Sequence, residues 1–469
     1  MKAKVPKCRV LAIRRGKVID PQLTLNSLPI PPVGDDPIKF LGMPLSSTLD
    51  DNHHRQHVVC KLQALMAKVD RSYISRKQKL RLFSLAVCPR LAWDLMVIQL
   101  PISWVERQLD PLANSYLKKW AGLARCANPS ILFLSQANGG LHLPALSTNF
   151  KKLQVSRMAQ LLVSRDNCVR FVAGRLLQHE DSTSGRAFLP ASVVKGVMVE
   201  NPGASKQKLK ELSTLTVAVS DESSRLEKLQ SLQVQGECFR LGVDTFDIWS
   251  VAVSSVTDII MKFSLNALMD TLPHRHNLLK WGKAQTSACP LCSEKQTLIH
   301  VLNNCNIALR QRRFDQRHNE VLKIVSDFIR LHMPCGFCVT SDLPSEGYIR
   351  PDFLMSDLRP DIILWSTAAK TAYLLELTVC SDTNFSAAAE RKTSKYFELV
   401  EAIGSTTAYR CYLYTLQVGS RGIVDQDSFN PIKSILHCTR KDFNRLLLSL
   451  SITAMTESFK IWSRRDCCD

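Results

Sequence analysis

From the fifties onward the apolar residues of the chain recur three and four positions apart: Val59, Leu62, Leu65, Met66 and Val69, then again through RKQKLRLFSLAVCPRLAWDLM. That spacing predicts a bundle of amphipathic helices from about residue 52 to 170. Ahead of it, KCRVLAI, the Pro-rich connector LPIPPVGDD and the turn-flanked IKFLGMPL predict short strands, a fragment of a sheet. NGGLHLPAL, at 138–146, predicts a Gly-marked turn into an extended segment that closes the helical unit. Residues 180–235, rich in Ser, Lys and Glu, predict exposed helices around a linker, and helical periodicity returns from about 245 to 283. RPDIILWSTAAKTAYLLELTV, 359–379, is two short apolar runs about a turn at Ser366 to Lys370, which predicts an antiparallel hairpin. SAAAERKTSKYFELVEAIG then predicts a helix from a Ser386 N-cap to a terminating Gly404.

Length and charge narrow the classes. A chain of 469 residues, 45% apolar, is long enough for two to four domains at about 100–200 residues each. Residues 1–160 carry 24 Lys and Arg against 9 Asp and Glu, which is most of the formal charge of +19. A basic end of that kind suits a polyanion, nucleic acid first. No apolar run approaches the ~18 residues of a spanning helix, and there is no lipidation signal, so a membrane is not an expected partner. The opening residues are broken by charge too often for a secretory signal, which implies a reducing compartment. There most of the 16 cysteines are expected as small buried side chains or metal ligands.

One cluster has ligand spacing. Cys289, Cys292, His300 and Cys305 give C-x2-C-x7-H-x4-C. A tight turn lets the first pair chelate one ion, and a helix beginning near Thr297 brings the other two round to close a tetrahedron suited to Zn²⁺. The alternative is two core cysteines beside an incidental His and Cys. Whether such a knuckle touches nucleic acid or only braces its neighbours stays open at this point.

The hairpin raises a separate question, because it carries Asp361 at the mouth of one strand and Glu376 within the next. Buried carboxylates cost several kcal/mol unless protonated, paired or bound to a cation. Antiparallel pairing would bring the two to one end of the sheet as ligands of Mg²⁺, which activates water against a phosphodiester. In the plainer reading Asp361 caps a turn after Pro360 and Glu376 is a solvated strand residue. The following helix sets Lys392 and Lys395 one turn apart, a positive group of the kind phosphoryl chemistry requires. RPD occurs twice, and Asp361 is preferred to Asp352 because IIL follows it as a buried strand and its spacing to Glu376 suits a hairpin.

The order of these features resembles the carboxy-terminal half of the polyprotein of site-specific non-LTR retrotransposons that carry a restriction-like endonuclease. KCRVLAI and IKFLGMPL resemble the end of the reverse transcriptase palm, and YLKKWAGLARCANPSILFLSQANGGLHLPAL resembles the thumb. LPHRHNLLKWGK, the Cys/His cluster and RRFDQRHNEVL are similar to the linker, knuckle and post-knuckle helix. RPD, an acid about a dozen positions on, and an A-x2-RK-x2-KY-like helix match the nuclease signature.

The resemblance implies a multidomain chain. Its parts are a palm remnant at 1–50, a basic helical thumb at 51–175, a helical linker at 176–283, a CCHC zinc knuckle at 284–310 and an α/β restriction-endonuclease-like domain at 311–469. It implies Asp361, Glu376, Lys392 and Lys395 as catalytic, Tyr396 and Arg359 as substrate-binding, structural Zn²⁺ and catalytic Mg²⁺. Target DNA and element RNA are the implied partners, in a nuclear or nucleocytoplasmic setting, with the oligomeric state left open. The polymerase's paired aspartates are expected upstream of Met1, so the chain reads as a fragment of a longer frame that cannot itself polymerise. In place of the usual lysine two residues after the acid stands Thr378. A lysine must then come from the following helix, with Lys392 facing the acid and Lys395, with Tyr396, positioning the strand. The rival reading is a nucleic-acid-binding remnant whose cleavage has decayed.

Overall fold

The structure, a computed structural model, describes residues 8–15, 17–33, 38–40, 43–45, 52–97, 100–181, 188–241 and 246–467. Several residues of the expected palm remnant, including Leu41 and Gly42, lie outside these. The chain groups into two compact units, one of Met1–Leu117 and Pro144–Asp221, the other of Lys118–Leu143 and Glu222–Asp469. This partition cuts across the expected thumb and linker boundaries.

In the first unit the amino-terminal strands form three separate antiparallel ribbons rather than part of one sheet: Ala12–Arg14 with Lys17–Ile19, Thr24–Leu25 with Leu28–Pro29, and Ile38–Phe40 with Met43–Leu45. The helical periodicity is realised from Asn52–Arg71 onward, where Val58, Leu62, Met66 and Val69 are the buried apolar residues. Two of its helices contain a π turn, Phe83–Val87 and Val105–Leu109, each just before a proline, Pro89 and Pro111. A proline inside a helix lacks its N–H and crowds the carbonyl four residues back, and one extra residue in the turn relieves both. The stretch expected as exposed helices around a linker instead buries Val194, Val197, Leu209 and Val217 against Val155, Met158 and Ala159. Its two helices, Pro190–Glu200 and Lys206–Gln230, each keep an apolar stripe despite their polar composition.

NGGLHLPAL runs from the second unit into the first, which resumes at Pro144. It is the expected turn into extended backbone: Gly139 takes φ +75°, and Leu141 and Leu143 N–H donate to Ile131 and Leu132 carbonyls at 2.9 Å.

The rest of the second unit surrounds a four-stranded mixed sheet. Helices α1 (Phe246–Ser255) and α2 (Asp258–Leu268) precede the Cys/His cluster, and α3 (Arg313–His332) follows it. Then come β1 (Cys338–Ser341), β2 (Ile362–Ser366), β3 (Thr371–Cys380), α4 (Phe385–Thr406), β4 (Arg410–Gly419), α5 (Gln426–Ile435) and α6 (Arg440–Ser463). Strand order is β4-β3-β2-β1. The expected hairpin is present, with Ile362 opposite Leu375 and Ser366 opposite Thr371. β3 and β4 run parallel, Glu376 beside Thr415, so α4 is the crossover that such a pair requires.

Both faces of the sheet are covered, which is why its strands read as nearly continuous apolar runs. Leu364, Leu375, Leu377, Leu416 and Val418 meet Val325 and Ile329 of α3 and Leu447 and Leu450 of α6. On the other face Ile363, Ala372 and Leu374 meet Tyr396, Leu399 and Ile403 of α4. α4 starts one residue before Ser386 and runs two past Gly404, with Asn384 as its N-cap. The packing of Leu399 and Ile403 outweighs the ~1 kcal/mol by which a glycine weakens a helix.

β4 ends in a turn, Gly419 to Gly422, that locks three elements. Arg421 N–H donates to the buried Asp382 carboxylate at 3.2 Å, Trp249 Nε1 of α1 donates to the Arg421 carbonyl at 2.9 Å, and Gly422 takes φ +91°. A side chain on Gly419 would run into the Asp382 carboxylate. Gly419→Ala should therefore destabilise the protein by about 1–3 kcal/mol, read as a lower midpoint in denaturant unfolding of the full chain. An unchanged midpoint would show that the turn can shift freely.

Candidate metal centre and carboxylate cleft

The Cys/His cluster is assembled from two short local structures. Cys289 N–H donates to the Glu294 carbonyl at 2.6 Å and Ser293 takes φ +65°, closing the turn that carries Cys289 and Cys292. Thr297 then caps a helical turn by accepting from His300 N–H at 3.1 Å. That turn widens into π geometry over His300–Asn304. Residues five apart on an α-helix point about 140° apart, and the wider π turn returns His300 and Cys305 toward one side.

The four donor atoms lie within 4.8 Å of one another. Cys305 and Cys292 sulfurs are 3.9 Å apart, and Cys292 Sγ is 3.3 Å from His300 Nε2. Tetrahedral zinc, with bonds of about 2.3 Å to sulfur and 2.0 Å to nitrogen, needs separations of about 3.8 and 3.5 Å. The residues therefore fit a metal ion and are compatible with zinc. Burial lowers the His300 pKa and so favours the neutral imidazole that ligates. Burial, with the neighbouring thiols adding to it, pushes Cys292 up to about 11, so metal binding must displace a proton there.

Gln296, which sequence reasoning missed, backs this cluster. It is 1% exposed. Its Nε2 lies 3.9 Å from Cys289 Sγ and 3.3 Å from Asp466 Oδ1, and its Oε1 accepts from Arg275 N–H at 2.9 Å. One amide thus ties a ligand sulfur to the segment containing LPHRHN and to the end of the chain.

The second site lies at the open end of the hairpin. Asp361 N–H donates to Glu376 Oε2 at 3.1 Å, and Leu377 N–H donates to Asp361 Oδ2 at 2.7 Å. Each carboxylate is thus held by backbone beside the other. Glu376 is 1% exposed, so it is not the solvated strand residue of the plainer reading. Burial first, and then the charge of Asp361, raise its pKa, while Lys392 pulls it back. Lys392 Nζ reaches across from α4 to form an ion pair with Glu376 Oε1.

Lys395, one turn away, donates instead to Tyr396 Oη at 3.1 Å. Tyr396 is wholly buried and its hydroxyl donates to the Arg359 carbonyl at 3.0 Å. Its ring packs in the core between α4 and the sheet. Arg359 itself is exposed and lies over the Tyr348 ring, 5.4 Å from its centroid. Asp352 is exposed on a turn outside the cleft lining. Thr378 sits beside Gln417 in the parallel register and offers no charge.

His318 completes the cleft, also unforeseen. Its Nε2 is 3.4 Å from Asp361 Oδ2 and 3.3 Å from the Leu377 carbonyl oxygen. Burial alone would lower its pKa, but the hydrogen bond and charge of Asp361 outweigh that, and the pKa is raised. Arg312, His318, Arg359, Asp361 and Lys392 are among the residues lining a cleft of about 540 Å³. A sequence signal for His318 existed: it stands on the apolar stripe of Val321, Leu322 and Val325, where an imidazole is out of place. Compared with known proteins, the chain matches no family model and no curated sequence.

Two outcomes follow from this geometry. Gln296→Leu keeps the volume but removes the amide, and should speed zinc loss to a chelator by about 10- to 100-fold, followed by metal-indicator absorbance. Loss at the wild-type rate would mean that the amide does not support the sulfur. For Glu376, a folded pKa above the unfolded value means that ionisation costs stability at neutral pH, a penalty that vanishes as pH falls below the unfolded carboxylate range. Metal-free Glu376→Gln should accordingly melt higher than wild type at pH 7, with the gap closing toward pH 4. A variant that melts lower at pH 7 would show that the Lys392 pair outweighs burial.

Proposed function

We propose that the second unit is a metal-dependent DNA endonuclease with a restriction-endonuclease-like core, and that the chain is the carboxy-terminal half of a non-LTR retrotransposon polyprotein. The observation that carries this reading is the backbone-bridged pair of Asp361 and Glu376 with the Lys392 ammonium on one of its oxygens. Two carboxylates have no structural reason to be desolvated side by side, and an all-oxygen anionic donor set suits Mg²⁺. The wider reading is supported by the order of features in one chain: a basic helical region, a Cys/His cluster, then this hairpin and a lysine-bearing crossover helix.

Asp361 and Glu376 would hold the cation, with the Leu377 carbonyl as a neutral oxygen at the same mouth. When bound, Mg²⁺ lowers the pKa of a water and withdraws charge from the scissile phosphate. Lys392, anchored through Glu376, offers a positive group to the charge that develops on the phosphorane. Arg312 and Arg359 at the rim attract the strand's phosphates, with the Arg359 guanidinium held over the Tyr348 ring. Tyr396 fixes the Arg359 backbone and thereby the approach of Asp361 to the strand. The product would be a nick whose free end serves as primer in an intact element.

The test uses the full chain with plasmid DNA. Nicking is expected with Mg²⁺ or Mn²⁺ and not with Ca²⁺, which coordinates irregularly and activates water poorly. Asp361→Ala and Glu376→Ala should each abolish it, and Asp352→Ala should not. Lys392→Met should lower turnover by about a hundredfold or more, while Lys395→Met should mainly weaken DNA binding. Full activity in either acid variant would sink the assignment. An inert wild type that still binds DNA, with affinity falling by orders of magnitude between roughly 50 and 200 mM salt, would favour the decayed remnant.

A further inference from the structure

Between the Cys/His cluster and the carboxylates, α3 carries two consecutive side chains that reach toward one site each. Arg317 is 1% exposed, among the largest side chains fully enclosed. Its guanidinium meets neutral groups: Nη1 donates to Ser458 Oγ at 3.1 Å, and Nη2 to Asn303 Oδ1 at 3.0 Å and to the Val379 carbonyl at 3.4 Å. Burial lowers its pKa to about 10, the charge of Asp382 opposing. For core stability alone an apolar residue of similar volume would serve as well or better. What a guanidinium adds is a rigid planar fork that bonds several elements in fixed directions.

Those elements are telling. Asn303 lies in the π turn between the ligands His300 and Cys305, and its Nδ2 donates to Ser420 Oγ, just beyond β4, at 3.1 Å. Val379 lies in β3, three residues after Glu376, and Ser458 lies in α6. The next residue on α3 is His318, which touches both Asp361 and the Leu377 carbonyl.

We propose that Arg317 is a positioning residue through which the metal-bound knuckle sets the carboxylate centre. The metal-organised turn presents Asn303, Asn303 and Val379 fix Arg317, and α3 in that setting holds His318 against Asp361 and Leu377. The inference rests on reading Asp361 and Glu376 as cation ligands. It gives the knuckle a role in cleavage exerted from inside the protein rather than by touching DNA.

The test measures Mn²⁺ affinity by electron paramagnetic resonance, zinc content by mass spectrometry and melting temperature on the zinc-loaded full chain, without DNA. Asn303→Ala and Arg317→Met should each retain one zinc per chain and weaken the Asp361-dependent Mn²⁺ site by about tenfold or more. Combined, they should weaken it by less than the product of the two effects, since they break one connection. Arg317→Lys should not restore the site, because an ammonium cannot reproduce the fork. His318→Gln, partly exposed at the cleft, should weaken the Mn²⁺ site with little change in melting temperature, and Asn303→Ala keeps the test decisive if Arg317→Met does not fold. Wild-type Mn²⁺ affinity in Asn303→Ala overturns the coupling alone. A wild type whose Mn²⁺ binding is unaffected by Asp361→Ala overturns the carboxylate reading, and the coupling with it.

Discussion

Two like charges held together by backbone N–H groups, Asp361 and Glu376, set the terms for everything packed around them. Each bond that joins them uses a main-chain donor just ahead of the first residue of β2, where β3 continues past the end of their pairing. The approach is therefore fixed by sheet register and not by side-chain preference. A register slip of one residue would turn Glu376 to the other face and bury a lone carboxylate under α3. The apolar residues alternating about it, Leu375 and Leu377 toward α3 and α6 and Leu374 toward α4, are what forbid that slip.

The same pair explains the crossover. Glu376 is desolvated, so its counter-charge must arrive within bonding distance and from the face that α4 covers. A parallel β3–β4 pair requires a long connection in any case, and α4 supplies it while carrying Lys392 across Glu376. Tyr396, one turn further on, pins the helix by its ring in the core and by its hydroxyl on the Arg359 carbonyl. One helix thus closes the sheet, delivers the ammonium and holds the strand that begins with Asp361. On the opposite face α3 does the corresponding work with His318, and Arg317 beside it is enclosed where an aliphatic residue would have packed.

What could be read from the chain alone was local. The hairpin and its turn, the extended run after Gly139, and the gathering of the four Cys/His side chains all follow from spacings within about twenty residues, where one element specifies its own geometry. Features that depend on distant partners were not readable. β1 is only four residues, CVTS, without distinctive patterning, and β4 gives no hint that it joins β3 in parallel. Gln296 looks like a loop residue until Arg275 and Asp466 are brought to it. Gly404 signals a helix end by propensity, yet Leu399 and Ile403 carry the helix past it. The polar composition of 180–235 concealed the apolar stripes by which those helices pack, because exposed residues outnumber the few that decide.

The position of the lysine carries a last consequence. A lysine at position 378 would be set by the strand itself, two residues from Glu376 on the same face, and its place would follow from β3 alone. Lys392 instead depends on how α4 lies over the sheet, which Ala388, Tyr396, Leu399 and Ile403 determine by burial. The ammonium therefore registers the packing of the helix as well as the register of the strand. His318 makes the same point from the other side, since its place follows from α3 and, through Arg317, from the turn that bears His300 and Cys305. A centre assembled this way has its two acids fixed by the sheet and its two nitrogen groups fixed by the helices that flank it. Its integrity becomes a property of the whole unit, Cys/His cluster included, and not of the hairpin that first draws notice.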